Sequence, residues 1–156
     1  MLKYDSYDIV LQEIPDEVSL CLTITGCQLA CEGCHSEHLW NPENGTELTH
    51  DIFRNLITKY KKTITCVLFM GGEWADSELI ALISMTKREK LKVGLYTGLN
   101  EKQMKRKHPI LLENLDYLKT GKWIADLGGL NSISTNQVLK DLTTGRILNG
   151  YFLNNK

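Results

Sequence analysis

The stretch Thr23-Ile24-Thr25-Gly26-Cys27-Gln28-Leu29-Ala30-Cys31-Glu32-Gly33-Cys34-His35 constrains this chain more than any other. It sets three cysteines at C-x3-C-x2-C directly behind an apolar, β-branched run. Over residues 18–25, Val18, Leu20, Leu22 and Ile24 alternate with Ser19, Cys21, Thr23 and Thr25, the period of a strand with one apolar face. Such a strand carries its cysteine loop to one edge of a sheet. Cys21 and Cys66 fall inside strands and read as small packed thiols.

Around that stretch the chain alternates strand and helix. Residues 7–13 predict a strand that turns at Pro15-Asp16 into the strand 18–25. Residues 26–45 are irregular and longer than an ordinary connection, as functional loops are. A helix begins near Thr49, which can cap it, with Ile52, Phe53, Leu56, Ile57 and Tyr60 at helical spacing and Lys59, Lys61 and Lys62 at its end. Residues 64–70 form a nearly continuous apolar run, the pattern of a strand buried on both faces of a parallel sheet, and Gly71-Gly72-Glu73 follows at once. The pattern then predicts a helix over 75–90, a strand over 92–97, a charged helix over 101–107 interrupted by Pro109, and a strand over 115–119. Residues 123–131 read as a loop, 135–142 as a short helix and 147–153 as a final strand or turn. The expected architecture is one α/β domain over residues 1–156 with a mostly parallel sheet, too short for a full eight-unit barrel. Functional residues are expected beyond the carboxyl ends of the strands, where the cysteine loop and Gly71-Gly72-Glu73 both fall.

A formal net charge of -1 makes no case for nucleic acid or an acidic membrane surface as partner. The N-terminus lacks a signal-peptide core and no run of ~18 apolar residues occurs, so a soluble, cytoplasmic protein is expected. In that compartment five cysteines argue against a disulfide framework and leave metal or redox use for the clustered three. Thiolates select zinc, copper(I) or iron–sulfur clusters. A zinc site would recruit a fourth ligand from His35, His38 or His50, but zinc cysteines normally come as paired C-x2-C knuckles and no second pair exists. A cubane cluster normally takes four cysteines; held by three, it leaves one iron open to an exogenous ligand. Gly71 and Gly72 let a ligand approach the backbone closely, and Glu73 can accept from an ammonium group.

The cysteine motif after one core strand and the Gly-Gly-Glu after the next resemble the radical S-adenosylmethionine superfamily. Thr25-Gly26-Cys27, Cys31-Glu32-Gly33-Cys34, Trp40, the run Leu115-Asp116-Tyr117-Leu118-Lys119-Thr120-Gly121-Lys122 and Ser134-Thr135-Asn136-Gln137 are similar to one branch of it, the activating proteins of anaerobic ribonucleoside-triphosphate reductases. The resemblance implies a small partial (βα) barrel and a [4Fe-4S] cluster held by Cys27, Cys31 and Cys34. It implies S-adenosyl-L-methionine at the open iron, its amino end received by Gly71, Gly72 and Glu73, with backbone contacts from Gly33, Cys34 and His35. It further implies reductive cleavage of that cofactor to a 5'-deoxyadenosyl radical, which makes a glycyl radical on the partner reductase without any catalytic acid or base. An electron donor such as flavodoxin or a thioredoxin-type system would serve it. The alternatives are an activase of another glycyl-radical enzyme, a peptide-acting enzyme of the same superfamily, or a non-catalytic zinc-binding module.

Overall fold

The structure, a computed structural model, describes residues 2–29, 31 and 37–153. Its elements follow in the order β1 (Lys3–Val10), β2 (Ser19–Ile24), β3 (Thr46–Glu47), α1 (His50–Tyr60), β4 (Cys66–Met70), α2 (Asp76–Arg88), β5 (Lys92–Tyr96), α3 (Glu101–Lys107), α4 (Pro109–Asn114), β6 (Tyr117–Thr120), β7 (Val138–Asp141) and α5 (Gly150–Leu153). The strands make one open sheet in the order β3-β1-β2-β4-β5-β6-β7. Its centre, β2-β4-β5-β6, is parallel throughout, and β1 and β7 flank it antiparallel. The expected α/β class with a mostly parallel central sheet is therefore what forms.

Parallel pairing puts equivalent residues in rows across the sheet. Leu22, Phe69, Leu95 and Leu118 pair successively from β2 to β6, and each is buried. That row belongs to the larger hydrophobic cluster, to which the helices bring Phe53, Leu56, Leu79, Ile83, Met104 and Leu111. The Phe53 and Phe69 rings stack with centroids 5.8 Å apart. The opposite face carries Cys21, Cys66, Leu68 and Tyr117, covered by Ile14, Leu130 and Leu148 from the connections. Both thiols are buried, and desolvation pushes each up to about 12, so they remain protonated packing groups as expected.

Thr49 caps α1, its side chain accepting from the Ile52 amide at 3.1 Å. Pro109 does more than interrupt: it opens α4 from the first helical turn, where a missing N–H costs nothing. The first strand lies at Lys3–Val10 and not over 7–13, the tail read as a strand or turn ends in α5, and one further expectation is overturned. Residues 135–142 do not form a helix; β7 occupies Val138–Asp141 and pairs with β6 from Thr120↔Val138 to Tyr117↔Asp141. Tertiary pairing overrides the local pattern here because Leu139 inserts fully into the second cluster and the Asp141 amide closes a turn on the Arg146 carbonyl at 2.8 Å. The tail divides between an isolated bridge at Ile147 and α5. Among the described residues no helix is long and apolar enough to cross a membrane.

Phe69 is fully buried in the row that faces the helices. Phe69→Ala should lower the unfolding free energy by about 3–5 kcal/mol in a urea titration, the cost of a large cavity that its neighbours cannot refill.

Candidate functional site

One row further along, Thr23, Met70, Tyr96 and Lys119 pair in succession across the same four strands. Alternation turns this row to the face opposite the leucines, and all four residues line a cleft of about 340 Å³ at the carboxyl ends of the strands. Cys27 and Cys31 line the cleft from the loop after β2, and Gly71 and Glu73 from the loop after β4. Gly33, Cys34 and His35 lie outside the described residues.

The cysteine loop is tied to its place by backbone bonds. Thr25 donates its hydroxyl to the carbonyls of Lys3 and Asn44, and the amides of Gly26 and Cys27 both donate to the Leu39 carbonyl, at 2.6 and 3.1 Å. The loop after β4 is fixed by an indole. A Cβ on Gly71, whose φ is +90°, would stand 2.8 Å from the Trp74 ring, and one on Gly26 would stand 3.1 Å from Trp74 Nε1. Trp74 thus lies across both loops and fills the space that side chains at those glycines would need. The packing of Leu29 onto Gly98 joins the cysteine loop to the end of β5 in the same way.

Glu73 starts a short 3-10 turn after Gly72 and is buried. Its Oε1 accepts from Thr97 Oγ1 at 2.9 Å, while Oε2 is buried and has no partner among the described residues. Burial raises the Glu73 pKa, and the bonds from its own backbone and from Thr97 offset this only in part. A buried carboxylate oxygen without a donor fits a cationic ligand such as an ammonium group. Gly72 is not on the cleft wall: it packs against Ile24 and Leu79. Among the described residues no group of three or more His, Cys, Asp or Glu converges on a metal site, since Cys34 falls outside them. Of the histidines weighed as zinc ligands, His38 faces Asp5 at 3.6 Å and His50 lines a separate cavity with Leu48 and Glu78.

Lys119, Tyr96, Trp74 and Trp123 complete the cleft. None of them stood out as a site residue in the sequence, although Lys119 lies within the quoted 115–122 run. The Lys119 ammonium sits over the Tyr96 ring, 4.5 Å from its centroid, and no carboxylate among the described residues pairs with it. The Tyr96 hydroxyl donates to the Glu13 carbonyl. Asn136 and Gln137 serve as loop fasteners, donating to the carbonyls of Lys122 and Gly121 at 3.1 and 3.3 Å beside β6.

The cysteine loop and the sheet behind it match the sequence model of the 4Fe-4S single cluster domain over residues 17–140, and the chain belongs to that family. Over 134 residues it is 27% identical to the anaerobic ribonucleoside-triphosphate reductase-activating protein of Vibrio cholerae serotype O1, covering 78% of this chain and 86% of that protein. The protein of the same name from Enterobacteria phage T4 is 27% identical over 113 residues, 68% of this chain and 71% of its own. The resemblance read from the motifs is thereby borne out. No solved structure matches the chain significantly.

Burial alone pushes the Lys119 ammonium down to about 8, against its usual 10.5. Below pH 8 the lysine is protonated both folded and unfolded; between 8 and 10.5 the unfolded chain binds more protons, so this residue makes stability rise with pH across that window. Lys119→Met should abolish that rise. The difference between wild-type and Lys119→Met urea midpoints should therefore climb from pH 8 to 10.5, and a flat difference would show that the ammonium is not desolvated.

Proposed function

We propose that this chain is the activating protein of an anaerobic ribonucleoside-triphosphate reductase, a radical S-adenosylmethionine enzyme with residues 1–156 as one domain and the open sheet as its partial (βα) barrel. One observation carries the reading: Cys27, Cys31, Gly71 and the unpartnered carboxylate oxygen of Glu73 share one cleft at the carboxyl ends of parallel strands. The family match and the names of the two relatives support it.

In this reading Cys27, Cys31 and Cys34 hold a [4Fe-4S] cluster. When bound there, the cluster and S-adenosyl-L-methionine would supply one-electron reductive cleavage of a carbon–sulfur bond and, through it, the hydrogen-atom abstraction that makes a glycyl radical on the reductase. The chain's own work is placement. Glu73 accepts the amino end of the cofactor through Oε2 while Thr97 holds Oε1, and Gly71 brings the backbone close with no side chain in the way. Gly72 sets the left-handed turn, at φ +109°, that aims Glu73 inward. Gly33, Cys34 and His35 are proposed to give the cofactor main-chain contacts. Trp74 roofs the two loops and keeps water from the space between them. An electron donor such as flavodoxin or a thioredoxin-type system completes the system, in the cytoplasm.

Anaerobic reconstitution with iron and sulfide should turn the wild-type protein brown. Cys27→Ala, Cys31→Ala and Cys34→Ala should each lose the cluster, whereas Cys21→Ala and Cys66→Ala should retain it; a colourless protein that binds zinc stoichiometrically would overturn the assignment. Co-incubation of the reduced, cluster-loaded protein with the reductase and S-adenosyl-L-methionine should give a glycyl signal by electron paramagnetic resonance, and silence with a verified cluster would sink the proposed function.

Glu73→Gln keeps an oxygen for Thr97 but removes the charge. It should leave the fold at least as stable and weaken S-adenosyl-L-methionine about tenfold to a hundredfold by calorimetry, the worth of one hydrogen bond to a charged group.

A further inference from the structure

Glu73 and Thr97 touch inside the cleft, and the two segments that carry them touch a second time outside it. The 3-10 turn Glu73–Ala75 runs straight into α2, whose first residue is Asp76. Beyond Thr97 the chain passes through Asn100, which caps α3, and reaches His108 where α3 meets α4. There Nδ1 of His108 lies 3.2 Å from Oδ2 of Asp76. A carboxylate only accepts, so Nδ1 is the nitrogen that donates. Together with the 2.9 Å bond from Thr97 Oγ1 to Glu73 Oε1, this contact closes a ring through both segments. His108 is itself fixed. Its amide donates to the Met104 carbonyl at 2.8 Å, its side chain is only 13% exposed, and Met104 and Leu111 on either side of it are fully buried. The start of α2 depends on such a tie, because neither Gly72 nor Ala75, the cap residues of the turn and of the helix, makes a side-chain capping bond.

We propose that Asp76 and His108 are positioning residues for the cofactor's amino group: their bond fixes the turn that carries Glu73 against the segment after β5, and so keeps Oε2 aimed into the cleft. The inference rests on the activase reading, in which Glu73 receives that group. Neither residue lines the cleft, so neither touches its contents. They act at one remove, as the outer partners of a ligand-binding side chain do. Thr97 alone would leave Glu73 on a hinge, since a single bond to Oε1 lets the turn rotate about it. The second tie removes that freedom. Burial raises the Glu73 pKa, and the charge on His108 is one of the influences that oppose it, favouring the ionised carboxylate that an ammonium group requires. Asp76 is half-exposed, so loss of His108 leaves it hydrated and not buried without a partner.

The test titrates S-adenosyl-L-methionine into the anaerobic, cluster-loaded protein by calorimetry. His108→Leu and Asp76→Ala should each raise the Kd about tenfold, the coupling expected of residues in one hydrogen-bonded network. Asp76→Ala acts at a half-exposed position, so the effect is read even where His108→Leu does not fold. His108→Asn, which sets an amide nitrogen in place of Nδ1, should restore binding to within about twofold of wild type. In a Glu73→Gln background, which leaves no acceptor for the turn to aim, Asp76→Ala and His108→Leu should each change the Kd by less than about twofold. Binding like wild type in both single variants, an Asn variant no better than the Leu variant, or losses that multiply in the Glu73→Gln background would overturn the positioning role and leave the activase reading intact. The expected pattern in a protein that gives no glycyl signal with the reductase would uphold the positioning role and overturn the activase reading. Wild type that fails to bind S-adenosyl-L-methionine with a verified cluster would overturn both.

Discussion

The register of the parallel strands is the constraint on which the rest of this structure depends. It aligns Leu22, Phe69, Leu95 and Leu118 in a row against the helices and, one residue later, Thr23, Met70, Tyr96 and Lys119 in a row beneath the cleft. A slip of one residue in β5 or β6 would exchange the rows, sending Tyr96 or Lys119 into the leucine core and a leucine into the cleft. The hydrophobic burial of the first row thus specifies the chemistry of the second. The leucines and Phe69 leave no doubt about which face is which, since every one of them is buried.

The second row holds a lysine, and Glu73 stands on the wall beside it, yet the two are not an ion pair among the described residues. Thr97 stands between their strands: its amide donates to the Lys119 carbonyl at 2.9 Å and its hydroxyl to Glu73 Oε1 at the same distance. Burial therefore lowers the lysine pKa and raises that of the glutamate, which its hydrogen bonds and the nearby His108 offset only in part. A protein selected only for stability would pair such groups or replace them with apolar ones. Two desolvated groups of opposite charge in one cleft fit a ligand that brings both kinds of partner, as the amino acid moiety of the proposed cofactor does.

Much of this was legible in the sequence because it depends on local pattern. The alternation over 18–25 assigned Leu20, Leu22 and Ile24 to one face and Cys21 to the other, and the packing agrees. Strand–helix alternation put the cysteine loop and Gly71-Gly72-Glu73 at the same edge of the sheet, which is where the cleft lies. What escaped notice depends on contacts between distant segments. Lys119 and Tyr96 meet only through the register of β5 with β6. Trp74 acquires its role from lying over Gly26, which is remote in sequence. The glycines were readable as places of close approach, but not what approaches them.

The misread segment shows the same logic at its strongest. Residues 135–142 carry an apolar spacing that suits a helix, and nothing in their own composition forbids one. Their conformation is held by Gly121, whose carbonyl accepts from the Gln137 side-chain Nε2 and whose φ of +102° and missing Cβ let the Asn136 carbonyl come within contact distance. With Asn136 and Gln137 fastened beside the end of β6, the next residues run antiparallel to it, and Leu139 falls into the cluster beneath the loops. A helix there would leave the edge of β6 unpaired and withdraw Gln137 from the cleft wall. The strand is therefore part of the site: it holds the preceding Gln137 on the cleft wall.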